Sequence, residues 1–435
     1  MVASDRGLAA RRAALEVLRD VSRGRPLDAA LAETLRALPD ADRRLAHELA
    51  AGVLRGRSGL DRRLAPLVPR GLARVDPAVR DVLRLGAYQL TSLDRVPSHA
   101  AVDTSVALAR EAAGARAAGF VNAVLRRLGR EPEPVPAESG GSAAALAERH
   151  SHPAWLVRRW LRRYGQEATV RLLRWNNARP RLVLQPARAA LERIAARLAA
   201  AGIDTEPVPH GGGLAVGASR PDRLPGYDEG DFFVQDPAQS LVARYAAVPA
   251  GAIVYDACAA PGGKTIGLAR AGARVVAGDA DRSRVARLRE NLARAGTGGE
   301  LPVVADARHP PVRDADAVLL DAPCLGTGTF ARHPDARWRV NPGALTALAQ
   351  RQSTLLRAAA GAVRPGGLLV YATCSLEPEE NEHQVERFLQ EHPGFVREPP
   401  AGFPAELLTD KGDLMTLPQR DGMDGAFAAR LRRVA

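Results

Sequence analysis

Three cysteines, one lysine and a few aspartates carry most of the chemistry that this 435-residue chain offers. Cys258, Cys324 and Cys374 are its only thiols, and each follows a short apolar run of the kind that forms a buried strand. The sharpest case is Tyr371-Ala-Thr-Cys-Ser375, preceded by Pro365-Gly-Gly and then Leu368-Leu-Val370. A turn and a short apolar strand put Cys374 where a strand leaves an open α/β sheet, the usual place for reactive groups there. Cys374 is therefore expected to act as a nucleophile. Three cysteines cannot form a paired framework and none has C-x-x-C spacing, so free thiols in a reducing cytoplasm, and no metal centre, are expected.

A second cluster is Asp256-Ala-Cys-Ala-Ala-Pro-Gly-Gly-Lys-Thr265. Its glycines let backbone N–H groups approach a ligand closely at a helix start. The run nearly matches a phosphate-binding loop, but Cys258 stands where that loop needs its first glycine, and Pro261 lacks an N–H to donate. This argues against a nucleotide triphosphatase. Lys264 stands out because Lys411 is the only other lysine among 61 basic residues, so a compact ammonium is expected to be required there. Asp279 ends the run Arg274–Gly278, placed to accept hydrogen bonds from ribose hydroxyls. Asp306 ends the next apolar run, where an adenine edge would lie. Each alone could be a helix cap; with the loop they describe a pocket for an adenosine-containing cofactor.

The elements that must position these groups alternate. Apolar runs at Ala252–Tyr255, Arg274–Ala277, Leu301–Val304, Ala317–Leu320 and Leu368–Tyr371 are separated by helical patterns from Thr265, across 281–295 and across 343–363. Such alternation predicts a parallel sheet covered by helices, with ligands beyond the strand C-termini. Residues 1–130 read instead as helices: Leu8–Leu18, Leu27–Leu38, Arg44–Gly56, Pro77–Leu90, one capped by Ser98, and one carrying Phe120–Leu128. Residues 131–145 are Pro-rich and then Gly/Ser-rich, the composition of a linker. Helices resume at 144–176 with Trp155, Trp160, Tyr164 and Trp175 among arginines, placed either to stack on bases or to pack a core. Arg181–Gln185, Ala189–Ala200 and Gly213–Val216 predict a small β-α-β unit.

The formal charge is +12, and its location says more than its size. Residues 1–130 hold 23 arginines against 14 acids, and 146–175 hold seven against two. The excess lies ahead of the catalytic region, as in a nucleic-acid-binding extension, although a solvated helix face would look the same. No run approaches 18 apolar residues and the N-terminus lacks a signal-peptide core, so neither membrane nor secretion is expected.

Two resemblances follow. Val96-Pro-Ser-His-Ala-Ala-Val-Asp103 and Gly119-Phe-Val-Asn-Ala-Val-Leu-Arg126 resemble the NusB family, small helical RNA-binding proteins; a generic helical bundle is the alternative. Asp256–Thr265, Asp321-Ala-Pro-Cys324 with Gly326-Thr-Gly328, Arg332-His-Pro-Asp-Ala-Arg-Trp-Arg339, Tyr371–Ser375 and Pro378-Glu-Glu-Asn381 resemble the RNA 5-methylcytosine methyltransferases of the Sun/Nop2/NSUN group. Phe232–Leu241 resembles the segment entering the same fold. The resemblance implies S-adenosyl-L-methionine as cofactor, Cys374 as nucleophile, Cys324 as the thiol promoting release, Asp321 on the nitrogen 3 edge of cytosine, and Lys264 near base and cofactor. It implies cofactor contacts at Cys258, Ala259, Ala260, Pro261, Gly262, Gly263, Lys264, Asp279, Asp306 and Asp321. Leu325 replaces a usual serine, and Asp424-Gly-Ala-Phe427 has lost one aromatic of the family's pattern.

The expected architecture is multidomain α and α/β: an all-α NusB-like bundle over 1–130, a linker over 131–145, a small helical/α+β RNA-contacting module over 146–231, and a Rossmann-like methyltransferase domain over 232–435. The combination resembles the RsmB enzymes, which implies 16S ribosomal RNA, unassembled or partly assembled, as partner and a monomer as the acting form. Another RNA target, or a non-catalytic RNA-binding assembly factor, is the alternative. A DNA methyltransferase fits less well, since those carry the nucleophile as Pro-Cys in the earlier motif.

Overall fold

The computed structural model describes residues 7–131, 141–217 and 220–434. The chain forms two compact units, one of Met1–Ala178 with Phe330–Arg339 and one of Arg179–Thr329 with Val340–Ala435.

The first unit is helical: Leu8–Ser22, Leu27–Thr34, Asp40–Leu64, Pro77–Ser92, Ser98–Leu128, Ala143–His150 and Ala154–Asn177. Leu8, Leu15, Leu18, Leu49, Val53, Leu83, Leu85, Val121 and Leu125 share one buried core, as their helical spacing requires. The helices Asp40–Leu64 and Pro77–Ser92 pass so closely that a Cβ at Gly52 would lie 2.0 Å from the Tyr88 ring. Asp76 starts the second of these, accepting from Ala78 N at 2.9 Å. Ser98 is not the expected cap: it is already helical, and Pro97 before it offers no side-chain acceptor. The two helices expected over 98–128 are present, separated by non-helical Ala113 and by Gly114 at φ 82°. Ser142 caps Ala143–His150, so helix begins inside the expected linker; 132–140 lie outside the described residues.

The second unit holds two sheets. Strands β1 (Leu182–Pro186), β2 (Thr205–Pro207), β3 (Leu214–Val216) and β4 (Phe232–Val234) form an antiparallel sheet in the order β2-β3-β1-β4. The helix Leu191–Ala200 places Ile194 and Leu198 in a core with Leu184, Leu214, Val216 and Phe232. The structure thus divides the chain differently from the sequence reading. Helices of 143–177 cluster with the N-terminal unit, whereas Phe232–Val234, expected to open the catalytic domain, completes the small sheet through pairing of Leu184 with Val234.

The large sheet contains β5 (Ile253–Ala257), β6 (Arg274–Asp279), β7 (Glu300–Val304), β8 (Ala315–Asp321), β9 (Val363–Thr373), β10 (Phe395–Arg397), β11 (Leu414–Thr416) and β12 (Ala426–Arg433). Its order is β10-β12-β9-β8-β5-β6-β7, with β11 on β12. Strands β5 to β9 are mutually parallel, and β12 runs antiparallel to β9. Alternate residues feed opposite faces: Val254, Leu319, Leu368 and Val370 enter one core, while Tyr255, Val318, Leu320, Leu369 and Tyr371 enter the other. Burial on both faces explains why these strands read as unbroken apolar runs. The chain leaves β5 toward β6 on one side and returns through β8 on the other, so the crevice at the β5 and β8 C-termini is the sheet's switch point.

Candidate active site

Register decides what meets at that edge. Ala257 pairs with Leu320, and Asp321 pairs with Ala372, so the segments leaving β5, β8 and β9 emerge side by side. Ala322 N donates to Ala372 O at 2.8 Å, Gly328 N to Cys374 O at 3.0 Å, and Leu376 N to the Thr327 hydroxyl at 2.8 Å. A Cβ at Gly328 would lie 2.7 Å from Gly425 Cα and 2.9 Å from Cys374 O, so only glycine permits this approach. The two loops are laced together backbone to backbone.

Their products are two thiols with Sγ atoms 3.3 Å apart, Cys324 and Cys374. Both are partly buried and neither is in a disulfide. The hydrogen bond with Cys374, and then burial, push the Cys324 thiol well above its usual range. Cys324 therefore holds its proton where it faces the Cys374 sulfur. One member of the pair can be a thiolate and the other a thiol within hydrogen-bond reach, which is the division of labour a covalent addition followed by a proton transfer needs.

Lys264 and Asp321 complete the centre. The helix Gly263–Arg270 begins directly after the β5 loop and carries Lys264 in its first turn. Its Nζ donates to Asp321 at 2.7 Å and to Gln239 Oε1 at 2.6 Å. Burial works against the ammonium, but the ion pair and hydrogen bond with Asp321 outweigh it, and the Lys264 pKa is raised. The lysine is thus held charged at a buried position. A cavity of about 240 Å³ borders the pair, lined by Phe233, Gln235, Pro261, Asn291, Lys264 and Asp321.

The loop Cys258–Gly262 crosses the end of β5, with Cys258 at φ 63° and Gly262 at φ 109°. The following helix has no side-chain cap, which leaves first-turn N–H groups without a capping side chain. Burial raises the Cys258 thiol to about 12, which makes it a packing group rather than a nucleophile. Asp279 is buried at the end of β6, and its Oδ2 accepts no hydrogen bond although Arg284 lies 3.2 Å away. An acceptor left in this state suits a ligand hydroxyl. Asp306 follows β7, and hydrogen bonds from Arg308 hold its carboxyl down to about 2. The donor and acceptor set fits an adenosine-containing cofactor at the strand ends.

Segment Phe330–Arg339 belongs to the helical unit. There Asp335 accepts from Leu27 N at 3.1 Å, Trp338 donates to Leu54 O at 2.9 Å, and Arg337 is fully buried. Trp160 is also fully buried, against His152 and Phe330 at ring separations of 5.8 and 6.3 Å; of its two readings, core packing holds. Sequence reasoning also assigned no role to Gln239, Gln352, Glu380 or Asn381. The quoted run Pro378–Asn381 was the only signal for the last two.

Comparison with known proteins shows the family and the fold. Residues 247–432 match the model of the 16S rRNA methyltransferase RsmB/F family, 8–130 the NusB family, and 152–216 the RsmF/B-like ferredoxin-like domain. The chain is 35% identical over 446 residues to the probable ribosomal RNA small subunit methyltransferase B of Synechocystis sp., covering 98% of this chain and 100% of that protein. It is 37% identical to the ribosomal RNA small subunit methyltransferase B of Pseudomonas putida, covering 98% of each. Among solved structures, PH0851 superposes with TM-score 0.81 at 26% identity over 98% of both chains. NSun6 from Pyrococcus horikoshii, solved with SFG, shares the fold at TM-score 0.57 and 20% identity, over 64% of this chain and 97% of that one.

Proposed function

Because the chain belongs to the RsmB/F family of 16S rRNA methyltransferases, we propose that it methylates carbon 5 of one cytidine in 16S ribosomal RNA through a covalent cysteine–cytosine adduct. The observation that carries this reading is the thiol pair beside Lys264 and Asp321. Carbon 5 of cytosine is a weak nucleophile, and adding a thiolate to carbon 6 makes it electron-rich.

Cys374, as thiolate, forms the bond to carbon 6 as the 5,6 π pair passes through carbon 4 to nitrogen 3. A proton from solvent, carried by the Asp321 carboxyl, neutralises nitrogen 3 and returns to that carboxyl after methylation, and Lys264 keeps the carboxyl in place. Bound S-adenosyl-L-methionine supplies the electrophilic methyl group; Asp279, Asp306 and the Cys258–Gly263 loop would hold it. Once Cys374 is bonded to carbon 6, its hydrogen bond and charge no longer hold the Cys324 proton up, so Cys324 loses that proton to solvent and then takes the proton from carbon 5. The electron pair of that C–H bond re-forms the 5,6 double bond, the bond from carbon 6 to Cys374 breaks, and Cys374 leaves as thiolate. Attack on carbon 6 requires an unstacked base, which favours RNA that is unassembled or partly assembled.

Bisulfite sequencing of ribosomal RNA from cells with and without this gene tests the substrate: one 16S cytidine should lose protection, and an unchanged 16S pattern refutes it. Cys374→Ala should abolish methylation, and full activity in that variant would refute the nucleophile. Cys324→Ala should trap an enzyme–RNA adduct, seen as a retarded band on a denaturing gel; absence of the band counts against the division of roles.

A further inference from the structure

Beyond the cysteines, one short turn touches both of the loops that carry them. Residues Pro378–Glu380 form a single 3-10 turn after β9. Glu380 is fully buried and accepts from Leu325 N, the residue after Cys324, at 3.0 Å. Gln352 Nε2 donates to the same carboxylate at 2.9 Å and to Pro323 O, the residue before Cys324, also at 2.9 Å. Cys324 is therefore bracketed on both sides by one acid–amide pair. Tyr371 OH donates to Glu380 O at 2.6 Å and ties the turn to β9.

Asn381 does the equivalent for the other thiol. Its Nδ2 donates to Ser375 O at 2.8 Å, and its Oδ1 accepts from the Thr373 hydroxyl at 2.5 Å. These are the residues on either side of Cys374. Glu380 has no cation among its described hydrogen-bond partners; burial raises its pKa against hydrogen bonds from Ser375, Leu325 and Gln352, so its one bond to the Cys374 side is through the Ser375 side chain while two hold the Cys324 loop. A buried acid kept without a counter-ion is a costly device for stability alone.

We propose that Glu380 and Asn381 are separate positioning residues for the two halves of the reaction: Glu380, with Gln352, sets Cys324 for release, and Asn381 sets Cys374 for attack. This rests on the two-thiol reading above. A displacement of either sulfur by a fraction of an ångström should slow the step which that sulfur performs and spare the other.

The test uses the full chain, a ribosomal RNA fragment and S-adenosyl-L-methionine, with adduct formation and adduct decay timed separately on denaturing gels. Glu380→Ala should form adduct within about threefold of the parent rate but release it roughly tenfold more slowly, so that a retarded band accumulates. Glu380→Gln, which keeps an acceptor for Leu325 N, should restore most of the release rate. Gln352→Met perturbs the same loop without removing the acid and should slow release about threefold. Asn381→Ala should slow adduct formation roughly tenfold with no accumulation. A purely structural role predicts that both steps fall together and that Glu380→Gln shows no selective rescue. Equal loss in both steps, or unchanged release in Gln352→Met, overturns the proposal even if Glu380→Ala does not fold. Cys324→Ala run alongside separates the two failures: with no adduct there, the two-thiol reading falls and this inference with it.

Discussion

Two buried cations, one in each unit, are held in opposite ways. Lys264 in the sheet unit sits 2.7 Å from Asp321 and is kept charged, its pKa raised. Arg337 in the helical unit is fully buried, and its described hydrogen bonds all go to neutral oxygens: Ser151 O, Asn177 Oδ1, Asn176 O and Phe330 O. Burial pulls its pKa down to about 9. A guanidinium fan can bind four oxygens at once and works as a fastener. An ammonium paired with one acid and one amide holds a concentrated charge beside a cavity, where a reacting base can use it. The difference separates a cation that secures chain from one that serves chemistry.

The comparison can be broken from either side. Arg337→Ala should cost on the order of 4 kcal/mol in urea unfolding, since several buried acceptors lose their donor. Arg337→Lys should recover little, because one ammonium cannot span the four oxygens; near-parental stability in either variant would remove the fastener. Lys264→Arg should do the reverse. Its kcat/KM should fall about 100-fold, close to 3 kcal/mol, while the unfolding midpoint stays near that of the parent.

The smallest effect sharpens the sheet side. Asp256 is fully buried beneath Lys264, accepts from Thr265 at 2.6 Å, and burial raises its pKa to about 7 from 3.8. The folded protein thus holds this proton more tightly than the unfolded chain. The stability it contributes is complete below pH 3.8 and is lost as pH rises toward 7. Asp256→Asn, which does not titrate, should gain steadily on the parent as pH rises from about 4 toward 8. A pH-independent difference in thermal unfolding would refute the assignment.

Much of the catalytic unit was legible because its strands are buried on both faces. Tyr255, Leu319, Val370 and their neighbours had to be apolar without interruption, and reactive residues had to follow them. Cys374 and Cys324 could be placed at strand ends that way, but not 3.3 Å apart, since that depends on the pairing of Asp321 with Ala372. Glu380 and Gln352 were illegible for the same reason: their partners lie 55 and 29 residues away. Phe232–Val234 was misallocated because a three-residue strand carries no period, and its partner β1 precedes it by nearly fifty residues. Arg332–Arg339 was quoted beside the catalytic motifs, yet its Asp335 and Arg337 are buried within the helical unit.

That last placement bears on dissection of the protein by truncation. A fragment beginning near Arg179 would still carry Phe330, Asp335, Arg337 and Trp338, but would have lost Leu27, Leu54, Ser151 and Asn176, their partners within the first unit. An apolar ring, an indole and an unsatisfied guanidinium would be turned out to solvent a few residues beyond Cys324. The methyltransferase portion is therefore not a portable module: a shortened version needs residues 330–339 redesigned as well as residues 1–178 removed.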